Sequence, residues 1–149
     1  MSVKGLPPER VVVDASYLLR YVLHTQAARP HADGLTLLGG VELLVPALWS
    51  AEIANALVQA ERRGLATPGK VGQALAAINA LNPVVDAMPV DVNRNLELAR
   101  AYRLTAYDAL YFELAVRRKA ALATFDAAMI DAAPSAGIRL FPQPTFSMA

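Results

Sequence analysis

The sequence contains no cysteine at all. That rules out a disulfide framework and any zinc site built on thiolates. Histidine is nearly as scarce: His24 and His31 are the only two, without metal-ligand spacing, and both read as surface residues. No Ser–His or Cys–His nucleophile pair is evident. Charge of either sign is sparse, at 18% of residues, and 14 basic residues against 13 acidic ones give a net charge of +1. Long apolar runs are missing too. The longest uncharged stretch, Val71 to Val85, is broken by Gln73, Asn79, Asn82 and Pro83, and falls short of a membrane span. Lys4 leads into Gly5-Leu6-Pro7-Pro8 rather than an apolar segment, so a secretion signal is not expected and a cytoplasmic location is.

Apolar residues make up 55% of the 149, enough for one domain with a substantial core. The excess over what a core needs points to an oligomer or partner interface. The expected domain covers residues 1–142, with a loose tail over 143–149.

Short β-branched runs alternate with segments of helical spacing. Val11 to Asp14 predicts a buried strand, and Leu18, Leu19, Val22 and Leu23 place a helix over Ala15 to His24. A second helix is expected over Pro30 to Leu38, ended by Gly39-Gly40, then a strand at Leu43 to Val45. Long helices follow at Leu48 to Arg63, stopped by Gly64, and from Thr67-Pro68 to Leu81. Val84-Val85 predicts a strand, then come helices over Val90 to Arg103 and from Thr105 to Arg118. Ala121 to Thr124, Asp126 to Ala133 and Ile138 to Phe141 predict strand, helix and last strand. This alternation implies an α/β sandwich around a mostly parallel sheet of about five strands, with ligands at the carboxyl ends of the strands.

Four acids stand out on that frame. Asp14 closes the first strand, Glu52 lies within a helix, Asp108 opens another, and Asp126 follows the strand at Ala121 to Thr124. Three of them have an ordinary explanation as helix N-terminal residues, and Thr105-Ala-Tyr-Asp108 fits a capping box. Glu52 does not. It sits on a polar stripe with Asn55, Gln59, Arg62 and Arg63, which is either a solvated face or a face turned to a pocket. Carboxylates sharing a pocket repel one another, and a divalent cation reverses that repulsion. Mg²⁺ or Mn²⁺ suits such oxygen donors and can activate water against a phosphate. Ser16 and Thr124, each two residues from an acid, are placed to orient a carboxylate, as is Asn55. With four acids neutralised, 14 basic residues face the nine acids remaining, or +5, a balance that suits a polyanion. Arg20, Arg62, Arg63, Arg117, Arg118 and Lys119 are candidate phosphate contacts, although the last five also sit where helix dipoles favour cations. Tyr107 and Tyr111 are candidates for base stacking or for core.

These segments resemble the PIN domain, and within it the VapC-type toxin ribonucleases of bacterial toxin–antitoxin pairs. The matching stretches are Asp14-Ala15-Ser16, Glu52-Ile53-Ala54-Asn55-Ala56-Leu57, Leu104 to Tyr111, and Leu122-Ala123-Thr124-Phe125-Asp126. The resemblance implies a five-stranded parallel sheet and a Mg²⁺- or Mn²⁺-dependent endoribonuclease. Asp14, Glu52, Asp108 and Asp126 would be its acids, accompanied by the hydroxyls of Ser16 and Thr124. It also implies a homodimer and a cognate antitoxin seated in the active-site groove. The apolar helices at Leu48 to Leu57 and Val71 to Leu81 are the expected docking surfaces. Two other readings fit the same residues. One is an aspartyl-phosphate or receiver-type domain with Asp14 as nucleophile, which wants a placed lysine where only Lys4, Lys70 and Lys119 exist. The other is a non-catalytic binding module whose acids merely cap helices.

Overall fold

The chain's structure, a computed structural model, describes residues 8–23 and 38–142. The tail at 143–149, His24, His31 and nearly all of the helix expected at Pro30 to Leu38 lie outside them. Strands β1 (Arg10–Val13), β2 (Glu42–Pro46), β3 (Val84–Asp86) and β4 (Ala121–Ala123) form one parallel sheet in the order β3-β2-β1-β4. Val11 pairs with Leu43 on one side and Ala121 on the other. β1 is therefore buried on both edges, and Val11, Val12 and Val13 have no exposed surface. That is why its sequence is continuous β-branched apolar rather than alternating.

Helices α1 (Ala15–Val22), α2 (Leu48–Arg62), α3 (Pro68–Ala80), α4 (Val92–Tyr102), α5 (Ala106–Arg118) and α6 (Ala127–Ala132) complete a three-layer sandwich. α5 packs against β1, β2 and β4 and carries α4, while α1, α2 and α3 pack on one another. The helix starts follow the side-chain chemistry: Asp14, Thr67, Asp91, Thr105 and Asp126 each accept a backbone N–H of the first turn. α4 begins at Val92 rather than Val90 because Asp91 takes the N–H of Arg94 at 3.1 Å.

One expectation is corrected. The last strand is reduced to a single bridge, Leu122 to Leu140, made by two backbone hydrogen bonds of 2.9 Å. The described sheet therefore has four strands. The apolar face of α2 is spent on the chain's own core, with Trp49, Ile53 and Leu57 all buried, and α3 buries Ala74 and Ile78. Much of the exposed apolar surface lies instead along edge strand β3 and into α4, at Val84, Val85, Met88, Val90, Val92 and Leu96. Among the described residues no helix is long and apolar enough to cross a membrane.

Candidate active site

The strand order places a topological switch at β1, whose neighbours β2 and β4 are reached in opposite directions. Crevices open at the carboxyl ends of strands at such a point. Asp14 immediately follows β1 and Asp126 follows β4 across that crevice. Glu52 comes to it from α2 and Asp108 from α5. All four acids, with Ser16, Arg20, Asn55 and Phe125, line one open cavity of ≈ 580 Å³.

Asp14 is the anchor. It is buried, 7% exposed, and so is Thr124 beside it. Asp14 Oδ2 accepts from the Ser16 hydroxyl at 2.8 Å and from the Thr124 hydroxyl at 3.0 Å. Thr124 in turn accepts the backbone N–H of Asp126 at 3.0 Å, so one hydroxyl ties the two acids together. Asp126 caps α6 through Met129 N–H at 3.0 Å. Asp14 and Asp126 therefore each cap a helix and also line the cavity. Asp108 is no cap, since its own N–H donates to Thr105 Oγ1 at 3.1 Å.

Glu52 accepts a hydrogen bond from the hydroxyl of Tyr111 at 2.6 Å. The Tyr111 ring is buried in the core, and burial together with the Glu52 carboxylate pushes its hydroxyl far above its ordinary pKa. It therefore stays protonated and remains a donor. Burial also raises the Glu52 carboxyl, and the charges of Asp14 and Asp108 add to that against the opposing pull of Tyr111. Burial raises Asp108 likewise, with the charges of Asp126 and Asp14 adding and Thr105 opposing. The acids thus act on one another across the cavity, a repulsion that a nearby positive charge would relieve.

Asn55 lines the cavity and is exposed, with no hydrogen bond to the acids among the described residues. Of the expected phosphate contacts, the structure brings only Arg20 to the acids. Arg62 and Arg63 lie exposed at the end of α2 and do not line the cavity. Arg117, Arg118 and Lys119 line a separate surface cavity with Glu9, Arg10 and Arg139, by the amino ends of β1 and β4. Arg117 is moreover committed to Asp86 at 2.6 Å and Glu113 at 2.7 Å. Its expected RNA contact gives way to a structural ion pair joining α5 to β3. Tyr111 is the residue that the sequence reading undervalued. Its signal was position, three residues after Asp108 on the same helical face.

The fold and the site together define the class: a parallel α/β domain with an acid-lined crevice at its switch point. The chain belongs to the PIN domain family, whose pattern matches residues 11–134. Among solved structures it is similar to that of PAE2754 from Pyrobaculum aerophilum. The two are 22% identical with a TM-score of 0.63, over 88% of this chain and 84% of that one, a likeness of fold. No curated protein matches the chain. PIN domains are in general metal-dependent nucleases and typically use divalent ions.

The donors present fit a hard divalent ion, being all oxygen and mostly carboxylate. Glu52 Oε2 and Asp126 Oδ2 accept no hydrogen bond from the described residues. Among those residues no three acids or histidines are drawn into a ready-made metal cage.

Proposed function

We propose that this chain is a Mg²⁺- or Mn²⁺-dependent endoribonuclease and the toxin component of a toxin–antitoxin pair. One observation carries the reading: Asp14, Glu52, Asp108 and Asp126 line a single open cavity at the carboxyl ends of the parallel strands. Asp14, Glu52 and Asp108 would hold the ion, with Asp126 acting through a water. Bound there, a divalent ion supplies positive charge to the phosphate oxygens and acidifies water at neutral pH. The chain's own work is preorganisation. Ser16 and Thr124 hold Asp14 by its Oδ2, the Ser16 backbone N–H meets its Oδ1, and Tyr111 holds Glu52 by its Oε1, which leaves Glu52 Oε2 without a partner among the described residues. The openness of the cleft suits a polymer threaded across it rather than a small molecule enclosed by it.

Among the described residues no lysine lines the cavity, and Asp14 is the most enclosed of the four acids, which disfavours an aspartyl nucleophile. A homodimer through the exposed apolar strip from Val84 to Leu96 fits the proposal, as does an antitoxin that places an Arg or Lys against the acids. The test is direct. Purified protein is incubated with structured RNAs and Mg²⁺ or Mn²⁺, and cleavage is expected to vanish with EDTA. Induced expression in a bacterial host is expected to arrest growth, and expression of Asp14→Asn is not. Metal-independent cleavage, or none at all, overturns the reading.

A further inference from the structure

Arg20 is the one cationic side chain among the described residues lining a cavity that holds four carboxylates. An arginine so placed is expected to fall onto an acid. It does not: no carboxylate of the described residues lies within ion-pair distance of it. Its guanidinium carbon instead stands 4.3 Å from the centroid of the Phe125 ring. Phe125 in turn is stacked on Tyr17, with centroids 4.5 Å apart and planes 19° apart, and Tyr17 contacts Tyr21 at 5.2 Å. Tyr17 and Tyr21 are buried at 2% and 8% exposure, so the stack is rooted in the core while Phe125 and Arg20 emerge at the rim. Tyr17, Arg20 and Tyr21 share one face of α1 by their spacing.

A guanidinium lying on a ring gives that contact its flat face and keeps the N–H groups of its edge for another acceptor. No described residue accepts a hydrogen bond from Arg20, which lines an acidic cavity whose proposed substrate is a polyanion. We propose that Arg20 clamps a backbone phosphate of the RNA strand beside the bond to be cut, and that Phe125 is the positioning residue that holds it off the acids. Phe125, already engaged by Tyr17 and Arg20, acts as a support rather than as a stacking platform for a base. The inference rests on the nuclease reading above, but it concerns binding and is separable from cleavage.

The probe is a fluorescent single-stranded RNA 12-mer, its anisotropy followed across a KCl series with Ca²⁺ in place of the catalytic ion. Each phosphate contact on single-stranded nucleic acid contributes a slope of about 0.7 in log K against log salt. Arg20→Ala is expected to weaken binding about tenfold and lower the slope by about that amount. Arg20→Lys and Phe125→Leu are expected to keep the slope and weaken binding about threefold, because the charge survives and its placement does not. Phe125→Trp, which restores a ring, is expected to recover wild-type affinity. Mn²⁺ affinity by calorimetry is expected to be undiminished in Arg20→Ala, which separates a phosphate clamp from a damaged acid site. Arg20→Ala that binds RNA with wild-type affinity and slope overturns the clamp even if the wild type cleaves RNA. Wild-type protein that binds with Arg20-dependent slope yet cuts nothing overturns the nuclease reading and leaves the clamp standing. Wild-type protein that binds no RNA overturns both.

Discussion

The hydroxyl of Tyr111, on α5, donates to Glu52 Oε1, on α2, across 2.6 Å and 59 residues of sequence. The bond fixes the rotamer of the acid that lacks a capping role, and it links two helices through the site. Tyr111→Phe removes only the donor. Glu52 then loses the one contact that lowers its pKa, and its carboxylate is less well placed for an ion. Mn²⁺ affinity and cleavage rate are expected to fall about 10- to 100-fold, as for other orienting partners of metal ligands. Stability is expected to change by about 1 kcal/mol. Calorimetric Mn²⁺ titration and urea melts check both.

Thr124 provides a sharper case, because its hydroxyl serves two acids at once. Thr124→Val keeps the shape and deletes both bonds. It is expected to lose more Mn²⁺ affinity than Ser16→Ala, since Ser16 is exposed and bonds only to Asp14. A double-mutant cycle on the two is expected to show coupling, because both hydroxyls meet the same Oδ2.

The raised carboxyls of Glu52 and Asp108 set the pH dependence of the metal-free protein. A carboxyl whose pKa is higher folded than unfolded lets the native state bind more protons between the two values. Without metal, stability is expected to fall as pH rises from the ordinary carboxylate range through the raised values, and saturating Mn²⁺ is expected to restore it at neutral pH. Glu52→Gln, which can still accept from Tyr111, is expected to raise the metal-free melting temperature at pH 7 by a few degrees and to abolish the Mn²⁺-induced gain. A lowered melting temperature would show that Glu52 is a structural acid.

Asp86 behaves in the opposite sense. Arg117 holds its carboxyl below the ordinary range through a fork of hydrogen bonds at 2.6 and 3.3 Å. That contribution is complete above the unfolded pKa near 4 and is lost as pH falls through the depressed folded value. Arg117→Ala is expected to destabilise the fold by roughly 1–3 kcal/mol, since it leaves Asp86 only the longer pair with Arg118 at 3.8 Å. It is expected to leave RNA affinity unchanged, which is the check that this arginine is structural. A loss of affinity equal to that of Arg20→Ala would restore it to the substrate surface.

How much of this was legible in the sequence varies with how local the cause is. Asp14 and Asp126 announce themselves because a strand end followed by a helix start is a local pattern. The convergence of Glu52 with them was legible only as a stripe of polar residues, since its partner Tyr111 lies 59 residues away. Arg117 misleads for the same reason. Its spacing to Glu113 is visible on the helix, but its bond to Asp86 depends on how α5 crosses the sheet. The aromatic support under Arg20 joins α1 to the segment after β4, and nothing in either stretch alone foretells it. The strand expected at Ile138 to Phe141 is reduced to a bridge at Leu140, although its apolar pattern reads as strand.

The central claim is that four acids hold the ion that cuts RNA. The most direct measurement is the Mn²⁺-dependent cleavage rate of one RNA by the wild type and by Asp14→Asn, Glu52→Gln, Asp108→Asn and Asp126→Asn, each checked for folding by thermal melt. The expected result is a loss of at least 100-fold in Asp14→Asn, Glu52→Gln and Asp108→Asn, and a smaller loss in Asp126→Asn that added Mn²⁺ partly recovers. A folded Asp14→Asn that cuts RNA at the wild-type rate, or wild-type cleavage that survives EDTA, would contradict it.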